Sequence, residues 1–83
     1  MRSGIMVTSL DQIGMGGKGV IREINTDHIT KERLESLGLI NGVEIEAIRK
    51  SPLGSPKIYR CLNTLVALRN DISKRIQVEV PHE

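Results

Sequence analysis

Apolar and polar positions along this chain alternate in short runs, broken by turn signals roughly every eight to twelve residues, the rhythm of a small all-β domain. Val43, Ile45 and Ala47 alternate with Glu44 and Glu46, which predicts a half-buried strand with an acidic outer face. Ile76, Val78 and Val80 alternate with Gln77 and Glu79 in the same way, and Pro81 is expected to end that pairing. Val20-Ile21-Arg22-Glu23-Ile24 is rich in β-branched residues and reads as a strand. Ile21 and Ile24 stand three apart, which a flat strand cannot place on one face, so a bulge or a strong twist is expected there. Lys57 to Leu62 and Thr64 to Arg69 read as a hairpin around Asn63, a residue that tolerates positive φ.

One segment has helical spacing. Asp27 to Leu37 carries Leu34 and Leu37 at i, i+3, with Lys31, Glu32 and Glu35 toward solvent, and Asp27 or Thr30 can cap its start. Gly38 is placed to stop this helix in a left-handed conformation, with Leu39 folding back onto Leu34 in a Schellman arrangement. Ser9 and Gln12 have capping-box spacing, so Leu10 to Ile13 is expected to make one helical turn with Leu10 and Ile13 on one face. Ser51-Pro52-Leu53-Gly54-Ser55-Pro56 is a rigid turn, because each proline fixes φ and removes a donor, and Asn70 to Ser73 is a short polar turn. The sum is mainly β: about five strands and one short α-helix, whose sheet must curl to bury an apolar face, as in a small SH3-like β-barrel.

The chain has 83 residues, room for a single domain spanning residues 1–83 with its core at about 9–80. Twelve cationic residues against ten acidic ones leave a formal charge of +2, too small a bias to predict nucleic-acid binding. Phe and Trp are absent and Tyr59 is the sole aromatic, which argues against a base-stacking platform. A lone cysteine, Cys61, cannot make an internal disulfide and fits a reducing compartment. No apolar run is long enough to span a bilayer, and the opening Met1 to Met6 lacks the apolar core of a signal peptide. A cytoplasmic protein is therefore expected, with any membrane link made through a partner.

Candidate chemistry is sparse. Gly14-Met15-Gly16-Gly17-Lys18-Gly19 matches G-x-G-x-x-G, but a strand follows it where a helix should, and Gly19 stands where a Walker loop needs Ser or Thr. A backbone turn is the expectation. His28, Cys61 and His82 are candidate ligands for Fe²⁺ or Zn²⁺, yet none has the local spacing of a metal motif, and the metal ligands remain unassigned. Glu44 and Glu46 share a solvent face and no nucleophile–base constellation is visible, so an enzyme is not expected and no cofactor is required. Arg49, Lys50, Lys57 and Arg60 flank the proline turn, where phosphate or lipid headgroups could meet them, although a solvated hairpin end is the simpler reading. Binding through shape remains, with Met15, Lys18, Leu53 and Tyr59 in or beside turns as the contact candidates.

The order of these features resembles the FeoA family, ferrous iron transport protein A. Leu10 to Ile21, with Gly16, Gly19 and Ile21, is similar to the family's opening turn and Gly-x-x-Gly-x-Ile. Arg33-Leu34-Glu35-Ser36-Leu37-Gly38-Leu39, followed by Gly42 and Val43, is similar to its helix-to-strand signature. Pro52-Leu53-Gly54-Ser55-Pro56 and Ala67-Leu68-Arg69 look like its P-L-G-x-P and A-L-R motifs. Met15 stands where proline is frequent and Asn63 where glycine is usual. The resemblance implies an SH3-like barrel, with Gly16, Gly19, Leu34, Gly38, Leu39, Gly42 and Gly54 as its structural positions. It also implies an accessory or regulatory role in ferrous iron uptake, beside the FeoB membrane transporter and its GTPase domain. The same fold forms a domain of some metal-dependent repressors, so a metal-responsive regulatory domain or a small metal carrier is the alternative. No catalytic residue carries over, and a homo-oligomer is left open.

Overall fold

A computed structural model describes residues 4–82 except the side chain of His82, so expectations placed on Met1 to Ser3 and on the His82 imidazole lie outside the described residues. The elements in order are β1 (Gly4–Ser9), a 3₁₀ turn (Leu10–Gln12), β2 (Lys18–Ile24), α1 (His28–Ser36), β3 (Glu44–Lys50), β4 (Lys57–Cys61), β5 (Thr64–Leu68), α2 (Asn70–Ser73) and β6 (Ile76–His82). The strands form one six-stranded antiparallel sheet in the order β1-β6-β2-β3-β4-β5. No helix among the described residues is long and apolar enough to cross a membrane.

Two bulges bend the sheet over its core. The β2–β6 register shifts between Ile21 and Glu23, so Arg22 is the extra residue and both Ile21 and Ile24 turn inward, as their spacing requires. The β3–β4 register shifts between Ala47 and Arg49 at Ile48. Leu10, Ile13, Leu34, Leu39, Ile45, Tyr59, Ile76 and Val78 are among the side chains packed inside.

The end of α1 has the expected form. The Leu39 amide donates to the Leu34 carbonyl at 3.1 Å and the Gly38 amide to the Glu35 carbonyl at 3.0 Å, the paired bonds of a Schellman motif. Gly38 has φ +103°, and Leu34 and Leu39 are both buried. At the other end Asp27, not Thr30, is the cap: its carboxylate accepts from the Thr30 amide at 3.1 Å. That contact, with Thr30 side chain and backbone both contributing, holds the Asp27 pKa below its ordinary 3.8.

The structure corrects several expectations. A sixth strand, β1, pairs with β6; its consecutive Ile5, Met6 and Val7 are all exposed and show no alternation, so the sequence pattern did not mark it. Pro81 does not end the pairing, because β6 continues to His82 beside β1, with Pro81 opposite Ile5. The last β2–β6 pair is Val20 with Glu79, so the missing proline donor has an open side to face. Leu37, the C-cap residue, is exposed rather than buried beside Leu34. Ser9 makes no cap: its hydroxyl donates to the Asp11 carboxylate, and Leu10–Gln12 is a 3₁₀ turn. Asn70–Ser73 closes into a single α-helical turn.

Candidate functional site

The glycine segment is structural. The Gly16 amide donates to the Ala47 carbonyl at 2.7 Å, the Gly17 amide to Gly14 at 2.9 Å, and the Gly17 carbonyl accepts from Ala47 at 2.9 Å. The two bonds to Ala47 extend the β2–β3 pairing and the third closes the turn, so the Gly16 and Gly17 amides are not free to cradle a phosphate. A Cβ on Gly19 would sit 3.1 Å from Val78 Cβ and 3.2 Å from the Glu79 carbonyl oxygen, so glycine here lets β2 lie close against β6. Met15 and Lys18 are both exposed, and Lys18 pairs across the strands with Glu46.

Tyr59 leaves the surface set. It is 0% exposed on β4, the largest side chain fully enclosed by the core, because it shares the inward face with Cys61, with Arg60 between them turned out, and it opposes Ala47 and Val66. Its hydroxyl lies near the Ser73 side chain but makes no hydrogen bond of good distance and angle. Burial raises its pKa, with the Ser73 side chain partly offsetting that and the Asp11 carboxylate adding to it.

Cys61 ends β4 fully enclosed, and its thiol donates to the Gly38 carbonyl at 3.2 Å. Burial pushes this thiol up as well, away from the thiolate that binds metal. His28 is exposed at the start of α1 and lies 3.1 Å from the Glu32 carboxylate. The fold thus turns Cys61 inward and His28 outward, and no three His, Cys, Asp or Glu side chains among the described residues gather as a metal site. Glu44 and Glu46 stay on the solvent side of β3 and line an open groove of about 420 Å³ with Val43, Arg60, Leu62 and Asn63. Arg60 lies directly opposite Glu46 across the strands.

What remains is two exposed ends. The first is the proline turn. The Gly54 amide donates to the Ser51 carbonyl at 2.8 Å and the Ser51 amide to the Pro56 carbonyl at 3.1 Å, which locks the loop. Leu53 stands at its tip, 93% exposed. The second end lies around the helix stop, where the β4–β5 hairpin turns in two residues, Leu62 and Asn63, with φ of 52° and 66°. Asn63 takes this conformation readily; a leucine there is rare. Leu62 is nonetheless 61% exposed, beside Gly38, with Leu37 and Ile40 exposed on the same stretch of chain. The sequence pattern offered the helix with its Gly38 stop as an alternative contact face, but it set Leu37 beside Leu34, ran the strand through Leu62 and did not single out Ile40. The signal was available in the hairpin: a two-residue turn places Leu62 outside the ladder, so it cannot reach the core.

Comparison with known proteins supplies the context. The FeoA domain family matches residues 8–80. A fusion of Fe(2+) transport protein A with the Fe(2+) transporter FeoB, from Porphyromonas gingivalis, is 27% identical over 71 residues, covering 86% of this chain but only 8% of the fusion protein. The solution structure of FeoA from Chlorobium tepidum superposes with a TM-score of 0.85 at 25% identity, covering 88% of this chain and 70% of that one. FeoA of Stenotrophomonas maltophilia, described as an SH3 domain protein and solved with zinc, superposes with a TM-score of 0.72 at 28% identity, covering 86% of this chain and 88% of that one.

Proposed function

This chain belongs to the FeoA domain family, and from that premise we propose that it is a cytoplasmic accessory protein of ferrous iron transport that docks on a FeoB-type GTPase transporter. The observation that carries the reading is the P. gingivalis fusion, in which a related FeoA segment and FeoB are one polypeptide. A covalent link of that kind raises the effective concentration of one module at the other, which is useful when the two act together. The chain spans 8% of the length of that fusion, so transport itself is the work of the remainder.

The docking end proposed is the helix stop with the β4–β5 turn. Leu37, Ile40 and Leu62 are exposed there, and Leu62 is held at positive φ, a conformation a leucine adopts only when its surroundings impose it. Exposed apolar side chains on a rigid turn suit a protein contact.

The test is co-purification of this chain with its cognate transporter, with GTP turnover and Fe²⁺ uptake measured alongside. Association, a changed turnover and an uptake defect on deletion are expected, and Leu62→Asp should weaken association. Failure to associate, together with normal uptake on deletion, overturns the reading.

A further inference from the structure

We propose that the proline turn is a contact for an anionic lipid surface, with Leu53 entering the headgroup layer and the surrounding cations binding lipid phosphates. The sequence pattern alone left these cations as a solvated hairpin end. Three structural facts change that.

First, Leu53 is the most exposed large apolar side chain among the described residues and follows the exposed Pro52. Second, the loop cannot fold Leu53 back, because Ser51 is bonded to Pro56 and Gly54 to Ser51, and the Asn70 amide donates to Ser55 Oγ at 3.2 Å. Third, the strand register gathers cations around it. Lys50 opposes Lys57, Arg49 is one residue before, Lys57 opposes Leu68, and Arg69 follows.

Two carboxylates share this end and must be counted. Asp71 lies 3.7 Å from Arg69, and Asp11 accepts from Ser9 while its carbonyl accepts from Lys57 Nζ at 3.0 Å. Arg49 and Lys50, both exposed, have no carboxylate partner among the described residues. Long cationic stems beside one protruding leucine match a bilayer surface, where apolar and phosphate layers lie stacked. One leucine and a few cations give weak, reversible binding, suited to a protein that also docks elsewhere.

The test uses the purified full chain and vesicles of phosphatidylcholine alone or mixed with phosphatidylserine, in a flotation assay. Binding to the mixed vesicles alone is expected, falling as salt rises. Arg49→Glu and Lys50→Glu should each weaken it about fivefold or more, and Leu53→Ser about tenfold. Lys31→Glu, an equal charge change on exposed α1, should leave binding within about twofold. No binding to mixed vesicles, or equal losses for Lys31→Glu and Lys50→Glu, overturns the proposal. So does a result in which Leu53→Ser abolishes association with detergent-solubilised transporter and leaves vesicle binding intact, which would make the turn a protein contact. Transporter association without vesicle binding would sink this inference and leave the proposed function standing.

Discussion

Gly38→Ala tests how far the helix stop determines this fold. Gly38 sits at φ +103°, and a Cβ built there would meet Leu62 Cδ1 at 3.3 Å. The backbone strain of placing an L-residue in this region is about 1–2 kcal/mol. The contact adds little, because the obstructing atom is the free end of an exposed side chain. Three further glycines separate strain from contact. Gly42, at φ +91° with nothing near its missing Cβ, carries strain alone, so Gly42→Ala should also cost about 1–2 kcal/mol. Gly17 carries contact alone: its Cβ would lie 2.7 Å from Ile13 Cγ2 and 3.0 Å from the Gly14 carbonyl oxygen, so Gly17→Ala should cost about 1–3 kcal/mol by overpacking. Gly14 has neither feature, and Gly14→Ala should be neutral or stabilise by up to ~1 kcal/mol. Urea titration with the slope held constant reads all four. On a domain this size each kcal/mol moves the melting midpoint by about 4–8 °C. If Gly38→Ala behaves like Gly14→Ala, the Schellman stop does not hold Leu39 over Leu34 and the reasoning fails.

Tyr59→Phe removes a buried hydroxyl whose nearest polar neighbour, the Ser73 side chain, makes no well-formed bond to it, so stability should be unchanged or rise by about 1 kcal/mol; a loss beyond ~1 kcal/mol in thermal unfolding would show that the Ser73 contact is a real bond. Leu62→Asn places a residue tolerant of positive φ at a position of 52°, and a gain of about 0.5–1 kcal/mol is expected by denaturation, whereas a clear loss would mean that Leu62 packing on Gly38 outweighs its strain. Because the Asp27 carboxyl is held below 3.8 in the folded state, its share of stability is present above that value and is lost as pH falls through the lowered folded pKa. Asp27→Asn should therefore narrow its gap to the parent as the medium is acidified; a gap constant across that range would show that the charge plays no part.

Periodicity made some of this fold legible and was silent where no alternation existed. The Ile21 and Ile24 spacing asked for a bulge or a strong twist, and Arg22 is the bulge that turns both side chains inward. Gly38 and Leu39 were readable because capping is local: four backbone groups within six residues decide it. β1 was not readable, since it is an edge strand with Ile5, Met6 and Val7 exposed and only β6 beside it. Tyr59 was misplaced for a related reason. A sole aromatic near a turn looks like a contact residue, but Tyr59 alternates with the exposed Arg60 and shares the inward face of β4 with Cys61. Of the surface candidates, Met15, Lys18 and Leu53 are exposed, whereas Leu62 emerges from a backbone dihedral that no composition reports.

The two exposed ends are joined by β4, which leaves the proline turn at Lys57 and reaches the Leu62–Asn63 turn after Cys61. Five strand residues at about 3.3 Å each keep Leu53 and Leu62 roughly 17 Å or more apart along the sheet. β4 is paired on both sides, with β3 and with β5, so the two ends are held apart by a double hydrogen-bonded ladder. A protein laid on lipid through Leu53 would therefore hold Leu62 clear of the headgroups, facing the part of a membrane partner that extends away from the bilayer. Binding energies at the two ends would then add through simultaneous engagement, each weak alone. Leu53→Ser should lower association with transporter embedded in anionic bilayers and leave association in detergent unchanged, while Leu62→Asp should lower both. Equal losses in bilayer and detergent for Leu53→Ser would collapse the two ends into one contact.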